Sequence, residues 1–168
     1  YEKAKQELQT LSNIFAISKR LHLWLCIAFI IITELLGLWA IYSYLNIPEG
    51  RLIDSIIVLQ CSIFTAVTMI MTVPYDAVII SNERFNAYAY LSILECALQL
   101  CAAFAISLLP NNRLITYSVL VLIIALLVRL ANMLYCRMSF AECRHKGYFD
   151  KDLLKSMGKF AGWNFLGN

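Results

Sequence analysis

Three charged residues stand inside stretches that are otherwise apolar: Glu34, Glu95 and Arg129. A charge at mid-bilayer costs at least about 2.5–3.5 kcal/mol, so such residues usually face a bundle interior or a wet cavity. Guanidinium binds phosphate through a planar fork, which makes Arg129 the candidate anion-binding group. Glu34 and Glu95 are candidate proton or cation carriers, or counter-charges to Arg129. Gln99 lies one turn beyond Glu95, and Asn132 one turn beyond Arg129. These five residues are the candidate lining of a substrate or ion cavity. The competing reading is a buried pair that only fixes helix register.

A second set lies at helical spacing: Ser62, Thr65, Thr68, Thr72 and Asp76. At about 100° per residue they occupy roughly one third of a helix circumference. Each hydroxyl can bond its own backbone and face anywhere. The whole stripe, ending in a carboxylate, predicts a wet or protein-facing side. Pro74 lies beside Asp76, removes one backbone donor and should kink the helix. The carbonyl of Ile70 would lose its usual partner, and the Thr72 hydroxyl or a water could replace it.

The elements carrying these residues must cross a membrane. Of 168 residues, 61% are hydrophobic, against roughly 45–50% in a soluble domain, and the mean hydropathy is +0.69. The excess is gathered into blocks of membrane-span length. The fold expected is all-α, a polytopic bundle with spans at about 21–45, 53–80, 86–109 and 113–137. Residues 1–20 predict an amphipathic interfacial helix, with Leu8, Leu11, Phe15 and Ile17 apolar, or a helix packing on other parts of the protein. Asn46-Ile-Pro-Glu-Gly50, Ser81-Asn-Glu-Arg84 and Pro110-Asn-Asn112 predict turns. Residues 138–158 predict an interfacial linker, and 159–168 the start of a further span. Tyr1 at the start and that opening helix at the end suggest a piece of a longer protein.

Short loops divide the positive charges between two faces. One carries Lys3, Lys5, Lys19, Arg20, Arg84, Arg137, Arg144, Lys146, Lys151, Lys155 and Lys159; the other carries Arg51 and Arg113. This asymmetry places the Ser81–Arg84 turn and both chain ends in the cytoplasm. Glu95 lies about nine residues into its span and Arg129 about eight from the end of its own, so both sit roughly 12–13 Å deep. Consecutive antiparallel spans at matching depth predict an ion pair or shared cavity between them.

Nothing in the pattern supports catalysis. There is no nucleophile–base set, glycine-rich phosphate loop or metal-ligand cluster, and Glu83, Asp150 and Asp152 are too scattered to be one. Cys143-Arg-His145 lacks the second half of a metal site. The six cysteines read as small buried hydrophobes. No cofactor, metal or nucleic-acid partner is expected.

The stretch Val73-Pro-Tyr-Asp-Ala-Val-Ile-Ile-Ser-Asn-Glu-Arg-Phe-Asn-Ala-Tyr-Ala-Tyr-Leu-Ser-Ile-Leu-Glu95 resembles the fourth-to-fifth helix region of bacterial polysaccharide flippases. Phe160-Ala-Gly-Trp-Asn-Phe-Leu-Gly167 resembles the start of a later helix. These are the O-antigen and capsule transporters of the multidrug/oligosaccharidyl-lipid/polysaccharide exporter superfamily, with a Bacteroides-like flavour. The resemblance implies a two-lobed transporter of twelve or more helices. It implies a multi-pass protein of the bacterial inner membrane that moves undecaprenyl-diphosphate-linked oligosaccharide for surface polysaccharide and lipopolysaccharide synthesis. The partners implied are that lipid-linked substrate, membrane lipids and a coupling cation, H+ or Na+. It assigns no roles to Glu34, Glu95 or Arg129. The alternatives are a drug or cation antiporter of the same superfamily and a non-transporting membrane scaffold.

Overall fold

The computed structural model describes residues 2–48, 50–107, 112–145, 147–148, 153–156, 159 and 163. The described residues form an all-α bundle with no strand. Four helical segments, 5–44, 52–81, 85–107 and 113–139, are long and apolar enough to cross a membrane. The expected turn at Pro110–Asn111, the acidic residues Asp150 and Asp152, and the helix start at Phe160–Gly167 (Trp163 apart) lie outside the described residues.

Helix α1 runs from Glu2 to Trp39 and passes into a π-helical turn at Ala40–Tyr44. Its 38 residues extend about 57 Å at 1.5 Å per residue, against a hydrocarbon core of about 30 Å. The amphipathic segment 1–20 and the span from residue 21 are therefore one rod, not an interfacial helix followed by a separate span. No glycine or proline interrupts the chain before Gly37, and the Lys19-Arg20 pair has no helix-breaking chemistry. In the π turn the Leu45 amide donates to the Ala40 carbonyl at 2.8 Å. The wider winding stacks Trp39 on Tyr44, with ring centroids 6.4 Å apart.

The chain reverses at residues 45–51. Pro48 accepts a bond from the Arg51 amide, and Gly50 takes φ +87, a conformation that favours glycine. Helix α2, Leu52–Ile70, and helix α3, Val73–Ser81, then run as one interrupted span. The break at Met71–Thr72 precedes Pro74, which occupies the first turn of α3, where its missing N–H is harmless. The expected kink is therefore a break into two helices.

α3 ends in a tight reversal. The Arg84 amide bonds the Ile79 carbonyl at 3.1 Å and the Glu83 amide bonds Ile80 at 2.9 Å. This is a Schellman closure with Glu83 at φ 57 in the left-handed position usually held by glycine. Asn82 Nδ2 donates both to the Val78 carbonyl and to Glu142 Oε1, each at 2.9 Å. Helix α4, Phe85–Ser107, crosses back, and helix α5, Arg113–Ser139, returns. A single 3-10 turn, Ala141–Cys143, follows.

Contacts fix the directions. Glu34 meets Gln60, Cys26 meets the Val67 carbonyl, and Gly37 meets Leu59, so α1 and α2 are antiparallel. Ala102 packs with Ile124 and Val128, so α4 and α5 are antiparallel. The α2–α3 span and α5 are parallel: Ser62 and Thr65 share a groove with Leu114 and Ser118, while Tyr75 meets Cys136 nearer the other end. The outer faces stay apolar, with Trp24, Leu35, Tyr90, Phe104 and Leu134 all exposed. Such a surface has bilayer or protein as its natural solvent.

A buried cluster lies toward the end of the helices that carries most of the basic residues. Phe15, Tyr75, Val78, Ile79, Cys136 and Phe140 form one buried cluster. Lys19 Nζ lies 5.5 Å from the Phe15 ring centroid and 5.8 Å from that of Tyr75. The chain after α5 closes over the projecting part of α1. The Tyr148 amide donates to Asn13 Oδ1 at 2.7 Å, and Gly147 abuts the Ser12 carbonyl so closely that a Cβ would collide. The amphipathic face of α1 is thus covered by protein at Phe15 and Ile17, while Leu11 stays exposed.

Candidate functional site

The polar stripe lies along the seam between the α2–α3 span and α5. Ser62 and Thr65 line an apolar groove with Tyr117 and Ser118. Thr72 and Asp76 line a second space further along, and Thr65 and Thr68 are buried. Each hydroxyl also donates to the carbonyl four residues earlier: Ser62 to Val58, Thr65 to Cys61, Thr68 to Phe64 and Thr72 to Thr68, all at 2.8–2.9 Å. From Thr65 onward the stripe faces protein, while Ser62 is exposed, and the hydroxyl donors are already used. The Thr72 hydroxyl goes to Thr68 and leaves the Ile70 carbonyl to other partners, contrary to expectation.

The helix break places Asp76. The Tyr75 and Asp76 amides both bond the Thr72 carbonyl, at 2.9 and 3.2 Å, so α3 restarts around that oxygen. Asp76 then shares a cavity of about 200 Å³ with Met69, Thr72, Glu95, Ala125 and Val128. At roughly 30 Å³ per water this holds several molecules. Glu95 enters from α4, and Gln99 Nε2 donates to its Oε1 at 3.2 Å along the same helix. The two carboxyl groups thus face the same space. Two carboxyl groups in one confined site favour sharing a proton or admitting a cation between them.

Asn132 adds an unmatched group. It is 3% exposed and lies on the same α5 face as Ala125, Val128 and Cys136. Its Nδ2 donates to the Val128 carbonyl at 3.2 Å, while its Oδ1 is buried without a partner. An unpaired buried acceptor costs about 1–3 kcal/mol. The placement is one helical turn beyond a cavity-lining residue.

Glu34 stands elsewhere. Its Oε1 accepts from Gln60 Nε2 at 2.8 Å, between α1 and α2. One turn on, α1 approaches α2 so closely at Gly37 that a Cβ would lie 2.7 Å from Leu59 Cδ1. Gln60 was not among the residues expected at a site. It could have been found by folding the sequence about its turn, since Glu34 and Gln60 each lie thirteen positions from Ile47.

Arg129 is half-buried and forms no ion pair with Glu95. Its neighbour Val128 borders the cavity that Glu95 enters. The expected pairing does not form. Arg129 is rotated about 100° from Val128 around α5 and does not line that cavity. The structure thus gathers Thr72, Asp76, Glu95 and Gln99, sets Asn132 on the adjoining face, and separates Glu34 and Arg129 from them. Among the described residues no three His, Cys, Asp or Glu side chains converge as a metal site.

No family model, curated protein or solved structure matches the chain.

Proposed function

We propose that these four spans belong to a bacterial inner-membrane flippase that moves lipid-linked oligosaccharide outward, with the Asp76–Glu95 cavity as its coupling-cation site. The observation that carries this reading is a pair of acidic side chains from two helices, facing one cavity beside a helix break inside an apolar span. Discontinuous spanning helices are a common way for transporters to build ion sites. The resemblance of residues 73–95 to polysaccharide flippases supplies the substrate class. The asymmetry of Lys and Arg supplies the orientation, with the Ser81–Arg84 turn cytoplasmic.

The acidic lining also favours a second reading, a drug or cation antiporter, because it suits a cation better than a diphosphate. Complementation separates the two. The full-length gene product should restore surface polysaccharide in a flippase-deficient strain, and D76N should lose that restoration at normal membrane levels. Export of cationic dyes without any polysaccharide would favour the antiporter. For orientation, a cysteine at Asn112 in a cysteine-free background should react with an impermeant thiol reagent on whole cells, and one at Asn82 should not. The reverse pattern would invert the topology.

A further inference from the structure

Cys143 alone among the six cysteines lies outside the spanning segments. It closes the 3-10 turn that follows α5. The chain reaches that turn through Phe140, whose extended backbone, φ -123 and ψ 127, ends the helix. The Phe140 amide still bonds the Cys136 carbonyl at 2.9 Å. The chain therefore folds back beside its own last helical turn, and Cys143 packs against the buried cluster that holds Cys136.

The two thiols are unequal. Cys136 is fully buried, and its Sγ donates to the Tyr75 carbonyl at 3.5 Å. Cys143 is half-buried. Hydrogen bonding with the Cys136 thiol holds the Cys143 thiol below its ordinary value, and Lys19 acts in the same direction, against burial and Glu142. The Cys136 S–H thus has two acceptors within reach, the Tyr75 carbonyl and the Cys143 sulfur. The Lys19 ammonium stays near through the rings of Phe15 and Tyr75. The thiolate is the nucleophile of cysteine chemistry, so Cys143 is the reactive member of the pair. An accessible, acidified thiol beside a second thiol that can resolve it is the arrangement that senses oxidants.

We propose that Cys143 and Cys136 form a reversible redox site, in which a hydroperoxide oxidises Cys143 and Cys136 resolves the product as a disulfide. The Cys143 thiolate attacks the peroxide: an S–O bond forms, the O–O bond breaks, and the leaving oxygen takes up the proton that Cys143 released. The Cys136 sulfur then attacks the sulfenic sulfur. The S–S bond forms, the S–O bond breaks, and hydroxide leaves with the Cys136 proton as water. The two thiols give up two electrons and the peroxide accepts them. The asymmetry of Lys and Arg puts this end in the cytoplasm, where thiols are otherwise kept reduced, so the disulfide is a transient state. It would pin the 3-10 turn to α5, and Glu142 of that turn already bonds Asn82 at the α3–α4 reversal. The inference uses the orientation but requires no transport.

The test exposes membrane vesicles containing the full-length protein to hydrogen peroxide, blocks the remaining thiols, then solubilises and digests with trypsin without reductant. Arg137 lies between the two cysteines, so the disulfide should join peptide Leu130–Arg137 to peptide Met138–Arg144. Dithiothreitol should release them. The joined pair should form about tenfold faster than the Cys61 thiol, inside a span, is lost. C136S should leave a sulfenic acid on Cys143, trapped by dimedone at the parent's rate, and C143S should leave Cys136 reduced. No joined peptide in the parent overturns the proposal. So does a sulfenic acid trapped on Cys136 in C143S as fast as on Cys143 in C136S. If neither variant folds, alkylation of the parent decides. N-ethylmaleimide added to native vesicles should modify Cys143 before Cys136, and the reverse order overturns the proposal.

Discussion

Glu34 and Glu95 are both carboxylates inside apolar spans, and the bundle treats them differently. Glu34 is tied across a helix interface to Gln60 at 2.8 Å, beside the tight crossing of Gly37 on Leu59. Among the described residues Glu95 is tied to Gln99 on its own helix alone, at 3.2 Å, and faces a second acid across open space. The first arrangement spends the carboxylate on joining two helices. The second leaves a carboxylate that joins no pair of helices and faces open space. Residue type alone does not separate a strut from a site; the origin of the hydrogen-bond partner does.

The largest effect expected follows from that contrast. E95Q removes one of the two negative charges facing the cavity and keeps a side chain that Gln99 can still bond. Polysaccharide complementation by E95Q should fall at least tenfold, about 1.4 kcal/mol in a rate-limiting step, at unchanged protein level. E34Q preserves an acceptor for Gln60 and should stay within about twofold, since interhelical bonds in membranes average only about 0.6 kcal/mol. Equal losses in the two variants would erase the distinction between strut and site.

The sequence made the coarse architecture readable because bilayer spanning imposes length and apolarity on every helix. The spans near 53–80, 86–109 and 113–137 lie close to the observed elements, and the Pro74 position marks the break. Depth was readable too, since it is counted in residues from a turn. Azimuth was not. Arg129 and Val128 are neighbours in sequence, yet Val128 lines the cavity and Arg129 does not. The continuity of α1 was also hidden, because Lys19-Arg20 resembles a membrane boundary without being a helix boundary. What holds its projecting half is a late segment, Phe140 to Tyr148, whose contacts with Ser12, Asn13 and Phe15 have no local signature.

An intermediate effect is expected at the strut. At Gly37 an added Cβ would lie 2.7 and 2.9 Å from the two terminal carbons of Leu59. G37A meets the movable end of a side chain and should be mild. G37L must displace the helix, and overpacking of this kind costs about 1–3 kcal/mol. Thermal unfolding in detergent should show G37L destabilised and L59A restoring much of the loss. A G37L protein as stable as the parent would mean that α1 and α2 are not held together at this crossing.

The smallest effect is expected from Arg129, and it sharpens the same comparison. Were Arg129 the counter-charge of Glu95, removing one partner would strand the other, a loss of about 3–5 kcal/mol for a truly buried pair. Arg129 instead does not line the cavity and is half-buried, where its long stem can carry the charge toward the interface. Residues that share no partner have additive effects within about 0.5 kcal/mol. The unfolding free energies of R129Q, E95Q and R129Q/E95Q should therefore add, and R129K should match the parent. A coupling well above that margin would show that the two charges meet in the working protein, and it would return Arg129 to the cavity as an anion-binding group. Additivity, with polysaccharide restored by R129Q, would leave the two carboxylates as the only charged side chains facing the cavity.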